Sequence, residues 1–444
     1  MNLSRKRQQG SISMLVVISL IAVIAVLGLA IDSGFGYMIR TRLDAAADGA
    51  ALAAGHAVTR GNTPAEQTTN AQQAAAAFFT ANYPTNFLGS TATMNTPSIV
   101  FNAGTVTIDV QAQAQVPVSF MQLFGFRILN VSTHSQTIRK DLDMAFIVDV
   151  TGSMTTMPGE PAAVRANAIS FLNNFDISND RVALMHFAYG TIVDVPYKAD
   201  SSRGFDRPGM TQAINHFSFK GSTNSSEAFW NARTQMDQLV NPSSLRVIVF
   251  FSDGAPNSFA SQFANKVAAC NNMVGTVVSG DGQSGTPTGF YRDDQISQSV
   301  GWPCSVGNVS NNFIKQLPAF YNAHNPNDQT FPIVTNSPRV VTNAVTYTNI
   351  NRASRNLLEA MAENARANKI YVFTLGLGLE LTQPAGPDNE LGQDVLKCMA
   401  NTSDAPARCY NAQEPVGVYC HAATPADLKP CYSQLASAIL RIAK

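Results

Sequence analysis

The first 269 residues of this 444-residue chain lack cysteine, and all six cysteines fall at 270, 304, 398, 409, 420 and 431. None belongs to a Cys-x-x-Cys pair, which argues against a thiolate zinc site. Charge is also scarce. Asp, Glu, Lys and Arg make up 14% of the chain, and 30 basic residues balance 30 acidic ones. That balance removes the basic surplus a nucleic-acid partner requires. No Gly-x-x-x-x-Gly-Lys loop and no Gly-x-Ser-x-Gly elbow occurs, so the common nucleotide-cradling and acyl-transfer motifs are missing. The histidines at 56, 134, 186, 216, 324 and 421 are scattered. His186 lies in a predicted strand and reads as a packed core residue rather than a base.

What is present begins with a hydrophobic run. Met14 to Ile31 carries no charge over 18 residues, with Arg5, Lys6 and Arg7 before it and Asp32 after. That length suffices to span a bilayer, and the basic cluster predicts a cytoplasmic N-terminus with everything after Asp32 exported. A cleaved signal peptide, cut after the small residues Gly28 and Ala30, is the alternative. The run exceeds a typical signal core, which favours a retained anchor. Phe35, Ile39, Leu43, Ala47, Ala51 and Ala54 continue at helical spacing, predicting one long helix with a narrow alanine-rich stripe. In an exported chain an even cysteine count points to disulfides. Of the fifteen possible pairings, proximity selects Cys270 with Cys304, Cys398 with Cys409 and Cys420 with Cys431.

Beyond the helix, Gly61 to about Asn95 is rich in Asn, Thr, Gln and Ala, with a short helix expected over Ala71 to Phe79. From Ser98 to Lys140 the apolar period changes to two, through Val106, Ile108 and Val110, then Val116, Val118 and Phe120, then Ile128 and Val131. Three or four strands follow from that alternation. A long helix followed by a small antiparallel sheet is pilin-like in outline, although a stalk with no recognition role fits the same pattern.

The chain is organised around Met144-Ala-Phe-Ile-Val-Asp149-Val-Thr151-Gly-Ser153. Its apolar start suits a central parallel strand covered on both faces, and ligands bind outside the carboxyl ends of such strands. One carboxylate and two hydroxyls at alternate positions are hard oxygen donors of the kind Mg2+ prefers. Gly221-Ser222-Thr223-Asn224 supplies another hydroxyl in a turn before a helix, and the apolar strand Val247 to Ser252 ends at Asp253-Gly254. Strands at Arg181–Phe187, Thr191–Val195, Leu245–Ser252 and Ile370–Leu375 alternate with helices at Pro161–Phe175, Ser225–Leu239 and Asn351–Ala367. A last helix opens near Thr424-Pro425, with Pro430 pointing to a later true start. The alternation predicts a doubly wound, mostly parallel α/β sheet.

These pieces resemble the metal-ion-dependent adhesion site of the von Willebrand factor A family. The resemblance implies that Thr151, Ser153 and Thr223 approach a divalent ion through hydroxyls while Asp149 and Asp253 hold it directly or through water. Mg2+ is the expected ion, with Mn2+ or Ca2+ as substitutes. Separately, Gly10-Ser-Ile-Ser-Met-Leu through Asp32-Ser33-Gly34 to Leu43-Asp44-Ala-Ala-Ala-Asp48 resembles the N-terminal module of TadE/TadG-like proteins of the tight-adherence (Flp) pilus system. Cleavable prepilins carry Glu five residues after the processed glycine. Counted from Gly10 that position is Leu15, which again favours a retained anchor.

The resulting division is residues 1–58 for the cytoplasmic tip, transmembrane helix and its extension, 59–140 for a small β-rich membrane-proximal region, and 141–444 for a von Willebrand A domain. That domain carries an insertion at about 255–350. The insertion holds Cys270, Cys304, the glycine-rich Ser279 to Gly285 and an exposed-looking Phe290-Tyr291-Arg292-Asp293-Asp294. Leaving the sheet beside Asp253, it is expected on the metal face, as a disulfide-pinned cap or as a solvated excursion. The leading expectation is an exported pilus-assembly protein of the bacterial inner membrane, single-pass, with its bulk periplasmic or extracellular. It would bind a partner's acidic residue, in another assembly component, through the ion. A scaffold or minor pilus subunit that uses no metal is one alternative. A metal-dependent hydrolase is another, weakened because the second aspartate that phosphoryl transfer expects is Thr151.

Overall fold

In a computed structural model, residues 11–58, 64–102, 105–198, 203–239, 242–243, 245–280, 284–305, 307–310 and 312–442 are described. Arg5, Lys6, Arg7, Gly10 and residues 281–283 of the glycine-rich stretch lie outside them. The chain divides into two compact units, Met1–Arg139 and Lys140–Lys444.

In the first unit, α1 (Ser11–Ala57) is one continuous helix, long and apolar enough to cross a membrane. Its buried stripe runs through Ile39, Leu43, Ala47, Ala51 and Ala54. Phe35, expected on that stripe, is exposed instead; Asp32 and Gly36 carry the buried line there. The second helix, α2 (Pro64–Asn82), is longer than the Ala71–Phe79 segment expected, because it packs along α1. Ala71, Ala75 and Phe79 are its buried apolar side chains, in one core with the alanine stripe of α1. Four strands follow, β1 (Thr91–Met94), β2 (Ser98–Asn102), β3 (Thr105–Pro117) and β4 (Ile128–Lys140), all paired on β3. Val106, Ile108, Val110, Ala112, Ala114 and Val116 alternate inward along β3, as period-two patterning requires.

The second unit is a six-stranded sheet between two layers. Its elements begin with β5 (Leu142–Asp149), α3 (Glu160–Leu172), β6 (Arg181–Phe187), β7 (Thr191–Val195), α4 (Arg207–Asn215), α5 (Ser225–Asp237) and β8 (Leu245–Ser252). The insertion contributes β9 (Ser258–Phe263), β10 (Met273–Val278) and β11 (Thr288–Tyr291). The chain then resumes with α6 (Tyr347–Ala367), β12 (Ile370–Leu377), the two-residue strands β13 (Pro384–Ala385) and β14 (Glu390–Leu391), α7 (Gly392–Ala400), β15 (Tyr419–Ala422) and α8 (Leu428–Ile442). The sheet order is β15-β12-β8-β5-β6-β7, parallel except for β7. β5 is buried along its whole length, as a central strand with both faces covered must be. Phe146, Phe171, Phe251 and Tyr432 pack on one face, with α3 and α8. Ala145, Ile147, Phe250 and Phe229 face the other, toward α5 and α6.

Thr424 and Asp427 form a capping box ahead of α8, and Pro430 falls in its first turn, where a missing N–H costs nothing. The disulfides are Cys270–Cys304, Cys398–Cys409 and Cys420–Cys431, the pairing that proximity selected.

The insertion is no solvated excursion: part of it borders the carboxyl end of the sheet, as expected, at Ala255, Asn257 and Gly280, and the rest is packed into a core. Its three-stranded antiparallel sheet shares the core of the α5–α6 layer. Phe259, Phe263, Phe290 and Phe313 pack in series inside it, tilted and edge-to-face, so Phe290, expected to be exposed, is fully buried. Tyr291 stacks on Tyr189 at 3.7 Å, while Arg292 and Asp294 pair on the surface. Apolar content, not the disulfide alone, gives this segment a fixed structure.

Candidate functional site

Parallel register sets the site. β5 and β8 are neighbours, paired through Val148 and Phe251, so their carboxyl ends bring Asp149 beside Ser252 and Asp253. The Ser252 hydroxyl donates to Asp149 Oδ2 at 2.6 Å, and the Thr151 amide donates to Asp149 Oδ1 at 2.8 Å. That second bond closes a tight turn which points Thr151 and Ser153 back over the strand end. Their hydroxyls lie 2.9 Å apart, and both reach Asp253 Oδ1, from Ser153 at 2.9 Å and from Thr151 at 3.4 Å.

Thr223 arrives on a different loop. Gly221 has φ +89°, and a Cβ there would come within 2.8 Å of the Ile296 carbonyl, so the turn needs glycine. Its carbonyl accepts from the Gly152 amide at 3.0 Å, locking the two loops together. The Thr223 amide donates to Asn257 Oδ1 at 3.0 Å, and Asn257 N donates back to the Thr223 carbonyl at 3.3 Å. The Thr223 hydroxyl is held 3.6 Å from the point where a Cβ on Gly254 would project. Asn224 then caps α5 through Glu227 N.

All five residues singled out from the sequence therefore meet at one end of the sheet. Ser153, Thr223 and Asp253 line a cleft of about 260 Å³, whose lining also includes Asn257, Arg355 and Glu380. Asp149 and Thr151 are buried behind them, with Asp149 at 0% exposure.

Burial is the main electrostatic fact. It raises the Asp149 carboxyl from 3.8 to about 6, against the hydrogen bonds from Ser252 and Thr151. Asp253 is pushed up further, first by burial and then by the charge of Asp149, with Glu160 adding to it. Glu160 is itself raised, by burial and by Glu380. Among the described residues neither Asp149 nor Asp253 makes an ion pair with Lys, Arg or His. Nor is any cluster of three His, Cys, Asp or Glu placed to hold a metal among them. The donor set at this site is of another kind: two carboxylates and three hydroxyls.

Three residues at the site escaped sequence reasoning. Ser252 carried a signal, being the polar last residue of an apolar strand just before Asp253. Glu160, 1% exposed, opens α3 one residue ahead of the helix expected from Pro161. Asn257 lies 34 residues from its partner Thr223, and no pattern announces such a contact. His186 is buried, donates to Asp194 at 2.6 Å and packs on Phe217 at 4.4 Å.

Residues 144–255 match the family model of the von Willebrand factor type A domain, and residues 10–59 match that of the TadE/G-like Flp pilus-assembly module. Among solved structures, the chain is similar to the vWF domain of the type V pili tip protein Mfa5 from Porphyromonas gingivalis. That likeness is 11% identical, covers 69% of this chain and 98% of that one, and has a TM-score of 0.39. It is also similar to the pilus adhesin SpaC from Lactobacillus rhamnosus GG, at 12% identity, 79% and 35% coverage and a TM-score of 0.38. A third is proximal thread matrix protein 1 from the mussel byssus with a zinc-occupied MIDAS motif, at 10% identity, 67% and 45% coverage and a TM-score of 0.33. The chain thus spans 35% of the second and 45% of the third of these proteins. No curated protein matches the chain.

Proposed function

We propose that this chain is a membrane-anchored, exported pilus-assembly or adhesion protein whose von Willebrand A domain binds a partner's carboxylate through a divalent cation. One observation carries the reading. Two buried aspartates converge with three hydroxyls at the sheet end, with no cationic side chain paired to them among the described residues. Two adjacent buried carboxylates cannot both stay ionised without a compensating charge. Oxygen-only donors suit Mg2+, and Mn2+ or Ca2+ by the same chemistry.

Ser153, Thr151 and Thr223 would offer hydroxyl oxygens, while Asp253 and Asp149 would hold the ion directly or through water. Neutral hydroxyls quench little of a cation's charge, so a bound ion keeps affinity for an outside acid. Ser153, exposed on the cleft, marks the side from which that acid approaches. The match of residues 10–59 supports a partner within a pilus-assembly system. The apolar α1 supports a single-pass anchor in the bacterial inner membrane, N-terminus cytoplasmic and bulk periplasmic or extracellular.

The reading favours binding over catalysis, because the hydroxyls that bond Asp253 are the ones an ion would take up, and among the described residues no histidine lines the cleft to serve as a base. Calorimetry on the full chain in detergent tests it. Mg2+ or Mn2+ should bind at one site per chain in the native protein and not in Asp149→Ala. Capture of envelope components by the immobilised chain should be lost on adding a chelator. Absence of ion-linked heat would leave a scaffold or minor pilus subunit that uses no metal.

A further inference from the structure

We propose that the loop joining β3 to β4, residues 118–127, is a second membrane contact, seated in the interfacial zone of a phospholipid bilayer beside the emerging α1. The inference rests on the reading of α1 as the anchor. Along α1 a single buried line begins inside the apolar run, at Gly28, and continues through Asp32, Gly36 and Ile39. These positions recur at helical spacing; Gly28 and Asp32 receive the loop, and Gly36 receives the start of β4. A Cβ at Gly28 would come within 2.4 Å of Phe120 Cβ, and one at Gly36 within 2.7 Å of Leu129 Cδ2. The loop therefore lies against the last turn of the apolar segment, about 4.5 Å short of Ile31 at 1.5 Å per residue.

Asp32 fixes it there. Its carboxylate accepts the backbone amides of Ser119 at 3.1 Å, Phe120 at 2.9 Å and Met121 at 2.7 Å, and is 3% exposed. The first charge after the hydrophobic run is thus satisfied by the loop's own backbone, which lets this level of the helix sit where water is sparse.

What the loop shows to its surroundings is apolar. Phe124 is 61% exposed, Phe126 58% and Ile128 51%, around a turn at Gly125 with φ +88°. On α1, Leu27, Ile31 and Phe35, each one residue before a member of the buried line, are exposed as well. Aromatic side chains at the level where a spanning helix leaves the hydrocarbon are the usual interfacial anchors. Exposed Arg127, between Phe126 and Ile128 in the sequence, suits lipid phosphate. A second copy meeting this face about a two-fold axis would set Arg127 against Arg127, which disfavours that occupant.

All six cysteines are disulfide-bonded, so one added cysteine can be labelled selectively. The full chain, reconstituted in phosphatidylcholine–phosphatidylglycerol vesicles, would carry an environment-sensitive fluorophore at Phe124→Cys, Leu20→Cys or Val100→Cys. Val100 pairs with Thr107, ten residues along β3 from Pro117 and roughly 33 Å away. The label at 124 should be blue-shifted and quenched by lipids spin-labelled near the headgroup. The label at 20 should respond to deep spin labels, and the label at 100 to neither. A water-like signal at 124 with deep quenching at 20 overturns the loop contact and leaves the anchor. Loss of lipid quenching at 20 overturns the anchor itself. A shielded but unquenched label at 124, varying with protein-to-lipid ratio, would mean that a second copy covers the face, which also overturns the proposal.

Discussion

Asp253→Asn separates a metal site from a merely polar strand end, because it acts with opposite sign in the two states of the protein. The amide keeps an oxygen for the Ser153 and Thr151 hydroxyls, which reach Asp253 Oδ1 at 2.9 and 3.4 Å. It removes one of two buried charges that raise each other's carboxyl. Under chelator, stability should hold or rise, since an uncompensated buried charge is relieved. With ion at 100 times its dissociation constant, the native protein gains about 2.7 kcal/mol and the variant gains nothing. For a unit of about 300 residues the unfolding entropy is near 640 cal/mol/K, so the native Tm should rise about 4 °C. Both tryptophans, Trp230 and Trp302, lie in the second unit, so tryptophan fluorescence, excited selectively over tyrosine, reports its melting alone. A native Tm indifferent to millimolar Mg2+, Mn2+ and Ca2+ would refute the reasoning. So would a variant destabilised under chelator by several kcal/mol, which would make the carboxylate structural.

The insertion and the turn beside the site yield further expectations. Replacing Cys270 and Cys304 together by Ser opens a loop with a separation of 34 residues, which chain entropy values at about 3.8 kcal/mol, or about 6 °C in Tm. A shift under about 2 °C in the tryptophan melt would mean that the aromatic core alone holds the insertion. Asn257→Ala should weaken Mg2+ binding on the order of 10- to 100-fold, because it frees the Thr223 amide while the chain stays folded. Calorimetry that returns an unchanged affinity refutes that role. Burial alone would lower His324, but its bond to Glu227, the charge of Glu227 and that of Asp293 raise it above 6.5. Glu227 also accepts from Tyr321, and Trp230 stacks on the imidazole at 3.5 Å. A raised folded value gives stability that is complete below pH 6.5 and lost as pH rises through it. Urea titrations from pH 6 to 8 should show that decline, and His324→Gln should flatten it.

How much of this was legible in the sequence depended on how local the cause was. β5 and β8 announced themselves, because a strand covered on both faces must be continuously apolar, and the polar residues that end it stand out. The Asp149, Thr151 and Ser153 spacing is likewise a property of one turn. The length of α2 was hidden because Thr, Gln and Asn dilute its pattern, and only the alanine stripe of α1 gives it something to pack on. Phe35 obeyed the helical spacing yet is exposed, because the buried line bends to Asp32 and Gly36, where a distant loop and strand press on the helix. Phe290 looked exposed because polar Tyr291, Arg292 and Asp293 follow it. Its partners Phe263 and Phe313 are 27 and 23 residues away, beyond the reach of local periodicity.

Nearly a hundred residues fit beside the Asp149–Ser153 turn without displacing it. The insertion leaves the sheet after Asp253 and rejoins at the Thr346 cap of α6, and Ser354 Oγ on that helix donates to the Pro256 carbonyl at 3.0 Å. Departure and return are therefore adjacent, so closing the excursion costs only the slow logarithmic entropy of a long loop. The returning limb is clamped where Arg339 bonds Glu359 at 2.9 Å and Glu390 at 2.7 Å. Between these ends the chain builds an apolar core against α5 and α6 rather than leaning on the strand ends. Ala255, Asn257 and Gly280 are what it turns toward the cleft, and Asn257 holds the Thr223 loop. An addition of this kind can change what surrounds the cleft while the geometry of Asp149, Thr151 and Ser153, fixed by β5 and its own turn, stays as the sheet dictates.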